Sequence, residues 1–467
     1  MRWDRRGQSL VESSQTALKA SPMPTVSIRP PGPPPKFLIG NFPLFSPDPL
    51  AVFTRWAREF GDIFYYRAGW IDVYFLNHPD LIESVLVSQS QHFAKDKVIQ
   101  NSRWFLGEGL LTSEGPEWRR QRRLCQPAFH RERLASYGQA MGAYSEEMLA
   151  AWSDGEIRDI HQEMMQLTMR IVAKVLFSVE VQQDTERVAG ALSVLMRHTS
   201  GGRMILPPVL RHLPLPALMR VKRAVGELDE IVHRIIRQRR SSGEDSGDLL
   251  SMLIAARDED GTAMTDRQLR DEIMTFLLAG HETTAVSLSW TWYLLSEHPD
   301  VGRKLRQELN HVLGGRTPQL EDLSHLPFTD RVVRESMRLY PPAWSLARAV
   351  TKEMEIAGYR LPTGSNVVMS PWIMHRDPRF FHHPEQFDPD RWTLEATQQL
   401  PRFAYFPFGG GPRLCIGASF AMMEANLLLA AIAQRFQLRV VPGHPVAPQP
   451  GITLRPRHGM RMKMTKN

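Results

Sequence analysis

Residues 408–417 read Phe-Gly-Gly-Gly-Pro-Arg-Leu-Cys-Ile-Gly, and they hold Cys415, one of two cysteines in a chain of 467 residues. An apolar helix is predicted to start directly after this loop, and the N-terminal end of a helix stabilises a negatively charged sulfur. The glycines allow the backbone to approach a flat ligand closely. Arg413, two residues before the sulfur, offers a planar guanidinium to a carboxylate. A thiolate beside such an arginine is what an iron porphyrin with carboxylate side chains requires.

Two ordinary interpretations compete with this one, because a lone cysteine is more often a small buried residue and a glycine cluster is more often a plain loop. The spacing Phe-x-x-Gly-x-Arg-x-Cys-x-Gly is more specific, and the loop matches it at every fixed position. This pattern resembles the haem-binding loop of the cytochrome P450 monooxygenases. The resemblance implies that Cys415 ligates the iron of haem b. It also implies that Phe408, Arg413 and Gly417 bind the same cofactor.

A long central helix is predicted from Asp266 to Glu297. Thr265 and Gln268 form a capping box at its start, and His298-Pro299 ends it. At about 1.5 Å per residue, such a helix is long enough to cross a globular domain.

The middle of this helix reads Ala-Gly-His-Glu-Thr-Thr. A glycine, an acid and two threonines lower helix propensity, so they indicate a specific role. In the family that the cysteine loop resembles, this signature implies that Ala279 and Gly280 make room for dioxygen. Glu282 and Thr283 are then the catalytic pair that relays protons. Thr284 is explained at least as well as a helix-packing residue.

Glu335 and Arg338 lie three residues apart on a helix that is predicted to begin near Thr329 or Asp330. Most ion pairs of this kind are solvated and contribute little stability. The resemblance instead implies a buried cluster in which Glu335 and Arg338 are joined by Arg391 behind the haem. We interpret these three residues as structural and not as catalytic.

A shorter helix carries Trp118 and Arg122, and this pair resembles the family's propionate-binding Trp-x-x-x-Arg. Arg348 stands where many members supply another propionate ligand. Cys125 is interpreted as a packing residue of the same short helix. Its other arginines are predicted to form a basic docking patch for an acidic electron-transfer protein: Arg119, Arg120 and Arg123.

The composition, with 42% hydrophobic residues and a net charge of +7, is that of a globular chain with a large core. Residues 63–69 and 71–76 predict a β-hairpin rich in aromatic and branched side chains. Most of the residues from 130 to 315 are predicted to be helical. Further short strands are expected at 367–369, 438–441 and 452–454.

The pattern and the resemblance together imply one large domain of the cytochrome P450 type, mainly α with a small β region, over residues 26–467. Residues 1–25 are too polar for a membrane anchor or a signal peptide and are expected to be disordered. No basic stripe accompanies a nucleic-acid-reading motif. We therefore predict a monomeric cytoplasmic protein, and a chain with two cysteines fits a reducing compartment.

The predicted activity is the insertion of one oxygen atom from dioxygen into a hydrophobic small molecule, for which fatty acids, terpenoids and steroids are the candidates. Because only residues 416–467 follow the cysteine, electrons are expected from a separate ferredoxin or flavodoxin with its reductase.

The candidate apolar walls of the substrate site, with a lid over residues 204–215, are Trp104, Phe105, Leu106, Phe276, residues 343–346 and the segment near Ile452.

Two other functions stay open at this point. A haem-binding sensor or carrier would need Cys415 but no proton relay. A peroxide-driven relative would use the same fold without an electron partner. The Glu282-Thr283 pair counts against both, because neither function requires it.

Overall fold

The computed structural model describes residues 29–34, 41, 46, 48–178, 182–199 and 215–467. The segment expected to be disordered and most of the predicted lid lie outside these residues. The helices in this part of the chain are α1 Pro49–Phe60, α2 Pro79–Glu83, α3 Lys97–Asn101, α4 Arg103–Leu106, α5 Gly115–Cys125, α6 Arg131–Ala150, α7 Ile160–Phe177, α8 Gln182–Thr199, α9 Pro216–Ser242, α10 Leu249–Ala255, α11 Asp266–Glu297, α12 Pro299–Leu313, α13 Pro327–Leu339, α14 Pro371–Met374, α15 Leu394–Gln398 and α16 Ala418–Arg435.

The strands are short and form four small sheets. The largest has five strands in the order β1-β2-β8-β5-β3, and β4-β12-β9 form a three-stranded sheet. Two further pairs, β6-β7 and β10-β11, are antiparallel hairpins. The strand bounds are β1 Ile63–Ala68, β2 Ile71–Leu76, β3 Phe93–Lys95, β4 Ile157–Asp159, β5 Leu346–Val350, β6 Met354–Ile356, β7 Tyr359–Leu361, β8 Asn366–Met369, β9 Phe436–Val440, β10 Pro448–Pro450, β11 Leu454–Pro456 and β12 Arg461–Lys466.

Helix α11 has the bounds that its capping signals predicted. Thr265 accepts from the backbone N–H of Gln268, and the Gln268 side chain accepts from the backbone of Thr265, which makes the predicted capping box. Nearly every residue from 269 to 292 is buried on all sides. A helix that is buried all round lies in the core of a large domain, so α11 is the axis on which the other helices pack.

Two large apolar clusters meet along α11. One contains residues of α6, α7, α12, α13 and α16, and the other contains residues of α5, α7, α9 and α10. The predicted fold class, mainly α with a small β region in a single domain, is confirmed. No helix of the described residues is both long enough and apolar enough to span a bilayer.

The β1-β2 hairpin was predicted with its bounds within one residue, and it pairs Ile63 with Leu76 through Ala68 with Ile71. Helix α13 begins at Pro327, earlier than predicted, because a proline in the first turn needs no backbone hydrogen bond there. The strands expected near 438–441 and 452–454 are each shifted by about two residues, which is a normal boundary error.

Candidate functional site

The cysteine loop turns tightly in front of α16, whose N-cap is Gly417. The backbone N–H of Cys415 donates to the carbonyl oxygen of Phe408 at 3.0 Å. The N–H of Leu414 donates to the carbonyl oxygen of Gly411 at 3.1 Å. These bonds fix the backbone on both sides of the sulfur, and Phe408 therefore shapes the loop through its main chain.

The glycines of this loop are required by contacts with protein. Gly411 has a φ of +65°, and a β-carbon there would lie 1.8 Å from the carbonyl oxygen of Leu86. A β-carbon at Gly410 would lie 2.4 Å from the Phe403 ring. The missing side chains of these two glycines therefore make room for residues 86 and 403.

Cys415 is accessible at the surface of the site. Neighbouring residues nevertheless surround its thiol closely enough to desolvate it. Burial raises the pKa of the Cys415 thiol above its ordinary value, while the N–H of Gly417 and the charge of Arg122 lower it in part. Desolvation outweighs these two contacts. A coordinated metal cation deprotonates a thiol outright, so the thiolate depends on the metal.

One face of α11 is accessible in the middle of the core. Ala279 is exposed and Gly280 and Thr283 are half-buried, whereas their helical neighbours are buried. Thr283 donates from Oγ1 to the carbonyl oxygen of Ala279 at 2.7 Å, which places the two side chains on one face. A β-carbon at Gly280 would lie 2.9 Å from Cγ2 of Val172 on α7. We call Ala279, Gly280 and Thr283 the open face of α11.

The aromatic side chain of Phe129 connects the cysteine loop to this helix. The ring of Phe129 lies 5.6 Å, centroid to centroid, from the ring of Phe276 on α11. Cε1 of the same Phe129 ring lies 3.7 Å from the position that a β-carbon at Gly417 would take. The cysteine loop and the open face of α11 are therefore close in space.

Glu282 does not join Thr283. Its fully buried carboxylate forms an ion pair with Arg455 and accepts a hydrogen bond from the Thr453 hydroxyl. Both partners belong to the hairpin segment that contains β11, more than 170 residues away in sequence. Glu282, the predicted proton-relay acid, is thus the counter-ion of Arg455 in this structure. The second carboxylate oxygen of Glu282 has no hydrogen-bond partner among the described residues.

Arg413 lies between an acid and an aromatic ring. It pairs with Glu114, and its guanidinium carbon lies 4.5 Å from the ring centroid of Trp118. Its Nη1 is buried and has no hydrogen-bond partner within the described part of the chain. The structure therefore brings Trp118 and Arg413 together, with one donor of Arg413 left for a ligand.

Two cations face each other across neighbouring strands. Lys95 of β3 is the direct antiparallel partner of Arg348 of β5. The Lys95 ammonium donates to the carbonyl oxygens of Leu110 and Ser113, each at 2.7 Å. Burial, with a smaller effect of the Arg413 charge, lowers the pKa of Lys95 to about 7. Sequence reasoning missed Lys95, because only the sheet register places it opposite Arg348.

Arg122 holds the cysteine loop. Its Nη1 donates to the carbonyl oxygen of Leu414 at 2.9 Å, directly beside the cysteine. The predicted contact of Arg122 with a propionate stays a prediction.

The predicted basic patch on α5 is largely neutralised. Arg120 and Arg123 both pair with Asp258 in the loop between α10 and α11, and Arg123 also pairs with Glu259. Only 16% of the Arg120 side chain is exposed. The expectation that Arg120 faces an electron-transfer partner is therefore wrong, whereas Arg119 is exposed.

Glu335, Arg338 and Arg391 form the buried cluster that the sequence predicted. Arg338 donates to both Glu335 oxygens at 2.8 Å, and Arg391 reaches Oε1 of the same acid at 3.3 Å. Trp392 donates its indole N–H to Glu335 at 3.0 Å. Arg338 also donates to the carbonyl oxygen of His375 at 2.8 Å, and the ring of this histidine accepts from the backbone N–H of Phe406. Sequence reasoning missed His375, which joins the cluster to the segment directly before the cysteine loop.

The family model that matches residues 30–463 is described as "Cytochrome P450". The chain belongs to the cytochrome P450 family. Cyclooctatin synthase of Streptomyces melanosporofaciens is 40% identical over 422 residues, which cover 89% of this chain and 91% of that protein. Pentalenene oxygenase of Streptomyces avermitilis is 36% identical over 87% of this chain and 90% of that protein. The chain is thus a cytochrome P450 monooxygenase.

Solved cytochrome P450 structures agree with this assignment. The haem domain of cytochrome P450DA is 27% identical, with a TM-score of 0.86 over 95% of this chain and 98% of that one. Retinoic acid-bound cyanobacterial CYP120A1 is also 27% identical, with a TM-score of 0.86 over 94% of this chain and 100% of that one. Membership of the family implies a haem-thiolate iron centre.

The cytochrome P450 site has the chemistry to hold a haem. It offers an accessible thiol at Cys415 and three cations, Lys95, Arg348 and Arg413, with the nearby carboxylate of Glu114. Like charges directly opposite each other on strands are destabilising, so the Lys95–Arg348 pair favours an anionic ligand. Two propionates would supply that negative charge, and the unpaired Nη1 of Arg413 is a donor for one of them.

Several predicted substrate walls are core residues of the cytochrome P450 fold. Phe105 and Leu106 are buried in the apolar cluster around α9 and α10. Trp344 packs beside β1 and β2 and donates its indole N–H to Gly451. These three side chains are therefore packed in the core. Trp104 and Ile452 are more accessible, and Phe276 borders the open face of α11.

Proposed function

We propose that this protein is a haem-thiolate monooxygenase that binds haem b and oxidises a terpenoid. The observation that carries the proposal is the proximity of an accessible cysteine to the open face of α11, with Lys95, Arg348 and Arg413 nearby as anion-binding groups. When bound, haem supplies the activation of dioxygen and the transfer of one oxygen atom to the substrate.

The chain's own residues hold and orient this cofactor. Cys415 would provide the thiolate that holds the iron, and Arg122 keeps the cysteine loop in place through Leu414. Lys95, Arg348 and Arg413 would bind the propionates, and the Trp118 ring lies against the guanidinium of Arg413. Charge-assisted hydrogen bonds from these groups would fix the orientation of the haem.

The open face of α11 orients the substrate and controls protons. Because Thr283 uses its hydroxyl hydrogen on the Ala279 carbonyl, its Oγ1 is free to accept a hydrogen bond from a water or an acid. A hydroxyl at this position holds a proton donor near the reacting atoms. Thr283→Ala should divert electrons from product to hydrogen peroxide.

The names of the similar streptomycete enzymes support a terpenoid substrate over a fatty acid or a steroid. We also propose that electrons come from a separate ferredoxin or flavodoxin with its reductase, that the protein is a monomer, and that it works in the cytoplasm. Both cysteines, Cys125 and Cys415, are free thiols, which fits a reducing compartment.

The test of the cofactor assignment is the carbon monoxide difference spectrum of the reduced protein. Wild type and Cys125→Ala should show the long-wavelength Soret band of thiolate-ligated haem, and Cys415→Ala should lose it. Loss of the band in Cys125→Ala and its retention in Cys415→Ala would overturn the assignment.

The test of the substrate class is a titration of the oxidised protein that follows the Soret band. The panel contains pentalenene, retinoic acid, palmitic acid and testosterone. A shift with the terpenoid-derived compounds at the lowest concentrations supports the proposal. A tighter response to palmitic acid or testosterone contradicts it.

A further inference from the structure

Four cations gather where the N-terminal half of α12 approaches the β4-β12-β9 sheet. Arg303 and Arg306 lie three residues apart on α12, and Arg439 is on β9. Lys463 of β12 is the direct antiparallel partner of Arg439. Residues directly opposite each other on neighbouring strands have their side chains on the same face of the sheet, so these two cations are adjacent. We call the four residues the α12–sheet cation cluster.

The end of α11 holds β9 close to the start of α12. The backbone N–H of Val440, the residue after Arg439, donates to Oγ of Ser296 at 2.9 Å. Ser296 is three residues before Pro299, the first residue of α12. Cations from a helix and from a sheet are therefore brought together by the packing of these elements.

The Arg306 side chain lies along α12 toward the N-terminal end of the helix. A β-carbon at Gly302 would lie 3.5 Å from Nη1 of Arg306, so the guanidinium rests against the first turn. The N-cap residue, His298, makes no side-chain cap hydrogen bond. The N-terminal end of a helix carries a partial positive charge, and Arg306 adds to it. Asp300 is the acidic residue of this turn.

The mutual repulsion of the arginines is felt at Arg306. This residue is half-buried, whereas Arg303 and Arg439 are exposed. Burial, followed by the charges of Arg303 and Arg439, lowers the pKa of Arg306. The positive charges are therefore close enough to destabilise one another.

No acid of the described residues neutralises the cluster. None of the four cations forms an ion pair there, and the exposed acids Glu297 and Asp300 pair with none of them. The acids of neighbouring segments accept hydrogen bonds or pair elsewhere: Asp154, Glu156, Asp159 and Glu308.

Lys304 shows the contrast on the same helix. It follows Arg303 directly, and its ammonium pairs with Asp390 at 3.3 Å. Unpaired positive charge is thus confined to the side of α12 that approaches the sheet.

We propose that the α12–sheet cation cluster is a binding site for an anion that carries a diphosphate group. Arginine donates two parallel hydrogen bonds to phosphate oxygens, and a diphosphate carries enough negative charge and acceptor oxygens to bridge α12 and the sheet. A carboxylate, with a single charge, would leave most of the repulsion in place. This inference does not depend on the proposed monooxygenase function, because none of the four cations belongs to the cysteine loop or to the open face of α11.

The first experiment is a calorimetric titration of the full-length haem-loaded protein with sodium diphosphate. The ionic strength is held constant at about 0.15 M, so that screening is the same at every point. Diphosphate should bind with a dissociation constant below about 1 mM, and sulfate should bind at least about 10-fold more weakly. Absence of diphosphate binding at 1 mM, or equal binding of sulfate, would overturn the inference, which is limited here to affinities in about this range.

Charge-removing variants locate the site. Arg306→Gln and Arg439→Gln should each weaken diphosphate binding by about 10-fold or more, the usual effect of losing a hydrogen bond between charged groups. Lys463→Gln, at an exposed position, gives the same test if Arg306→Gln fails to fold. Lys304→Gln is the matched control and should bind as wild type does. Equal affinity in Arg439→Gln, Lys463→Gln and wild type would reject the site, and so would an equal loss in Lys304→Gln.

Hydrogen exchange tests the same location without a substitution. Diphosphate should slow amide exchange in residues 300–306 and 437–440, and protection elsewhere without protection here would contradict the inference. A nucleoside diphosphate carries the same group, so ADP is titrated in parallel. Tighter binding of ADP than of diphosphate supports the site as one for nucleotides, and equal or weaker binding supports it as one for the free anion. A normal carbon monoxide spectrum in every variant shows that the haem site is intact, which keeps this result separate from the proposed function.

Discussion

Glu282 and Arg455 form an ion pair in which the acid is fully buried and the arginine side chain is 21% exposed. The pair joins the middle of α11 to β11. Replacing Arg455 by glutamine leaves a buried carboxylate without its cation, and we expect a loss of about 3 kcal/mol in the free energy of unfolding, the low end for a broken buried pair. The double variant Glu282→Gln/Arg455→Gln should recover part of this loss. Denaturant unfolding that finds Arg455→Gln as stable as wild type would contradict the pairing.

Gly411 should tolerate no side chain. Its positive φ and the contact with the Leu86 carbonyl predict that Gly411→Ala destabilises the loop by at least about 3 kcal/mol, from backbone strain and steric overlap together. Gly417 is the matched control, because its φ is −90° and a β-carbon there would lie 3.7 Å from Phe129. The haem content after purification should fall in Gly411→Ala and stay near normal in Gly417→Ala. The reverse result would show that the glycines serve the cofactor directly.

Glu335 should control assembly and not turnover. Glu335→Ala leaves Arg338 and Arg391 without their acid, and we expect a cost of about 3–5 kcal/mol and little haem-loaded protein. Lys304→Ala, which breaks a solvent-exposed pair with Asp390, is the control and should cost less than about 1 kcal/mol. A Glu335→Ala protein that loads haem normally but has lost activity would mean that the cluster has a chemical role.

Arg119 should matter for electron delivery more than Arg120. Arg119→Glu reverses an exposed charge on α5 and is expected to slow reduction by an acidic ferredoxin or flavodoxin at low salt. Arg120→Gln removes a charge that Asp258 already neutralises, so it should affect stability first and the reduction rate little. Stopped-flow reduction at several salt concentrations compares the two variants. Equal rates for Arg119→Glu and wild type at low salt would exclude Arg119 from the docking surface.

The parts of this molecule that the sequence predicted best are fixed by local physics. The bounds of α11 follow from a capping box and a proline, and the β1-β2 hairpin follows from the pattern of its own residues. The cysteine loop was recognised because its spacing is highly specific.

The parts that were missed depend on contacts between distant residues. Neither the pairing of Glu282 with Arg455 nor that of Arg120 with Asp258 has a sequence pattern, since the partners are 173 and 138 residues apart. Burial of Phe105, Leu106 and Trp344 likewise depends on how whole elements pack, and an apolar residue has the same sequence signature in a core and in a substrate site.

The placement of Lys95 opposite Arg348 affects the stability of the protein in a cell, and therefore its degradation. A ligand that binds only the folded state stabilises it in proportion to the logarithm of the ligand concentration. Here the ligand would also relieve repulsion between two cations that the sheet register forces together. A chain made while haem is scarce would keep that repulsion and spend more time locally open to proteases. The amount of this enzyme should therefore follow the haem supply of the cell, even when its synthesis is constant.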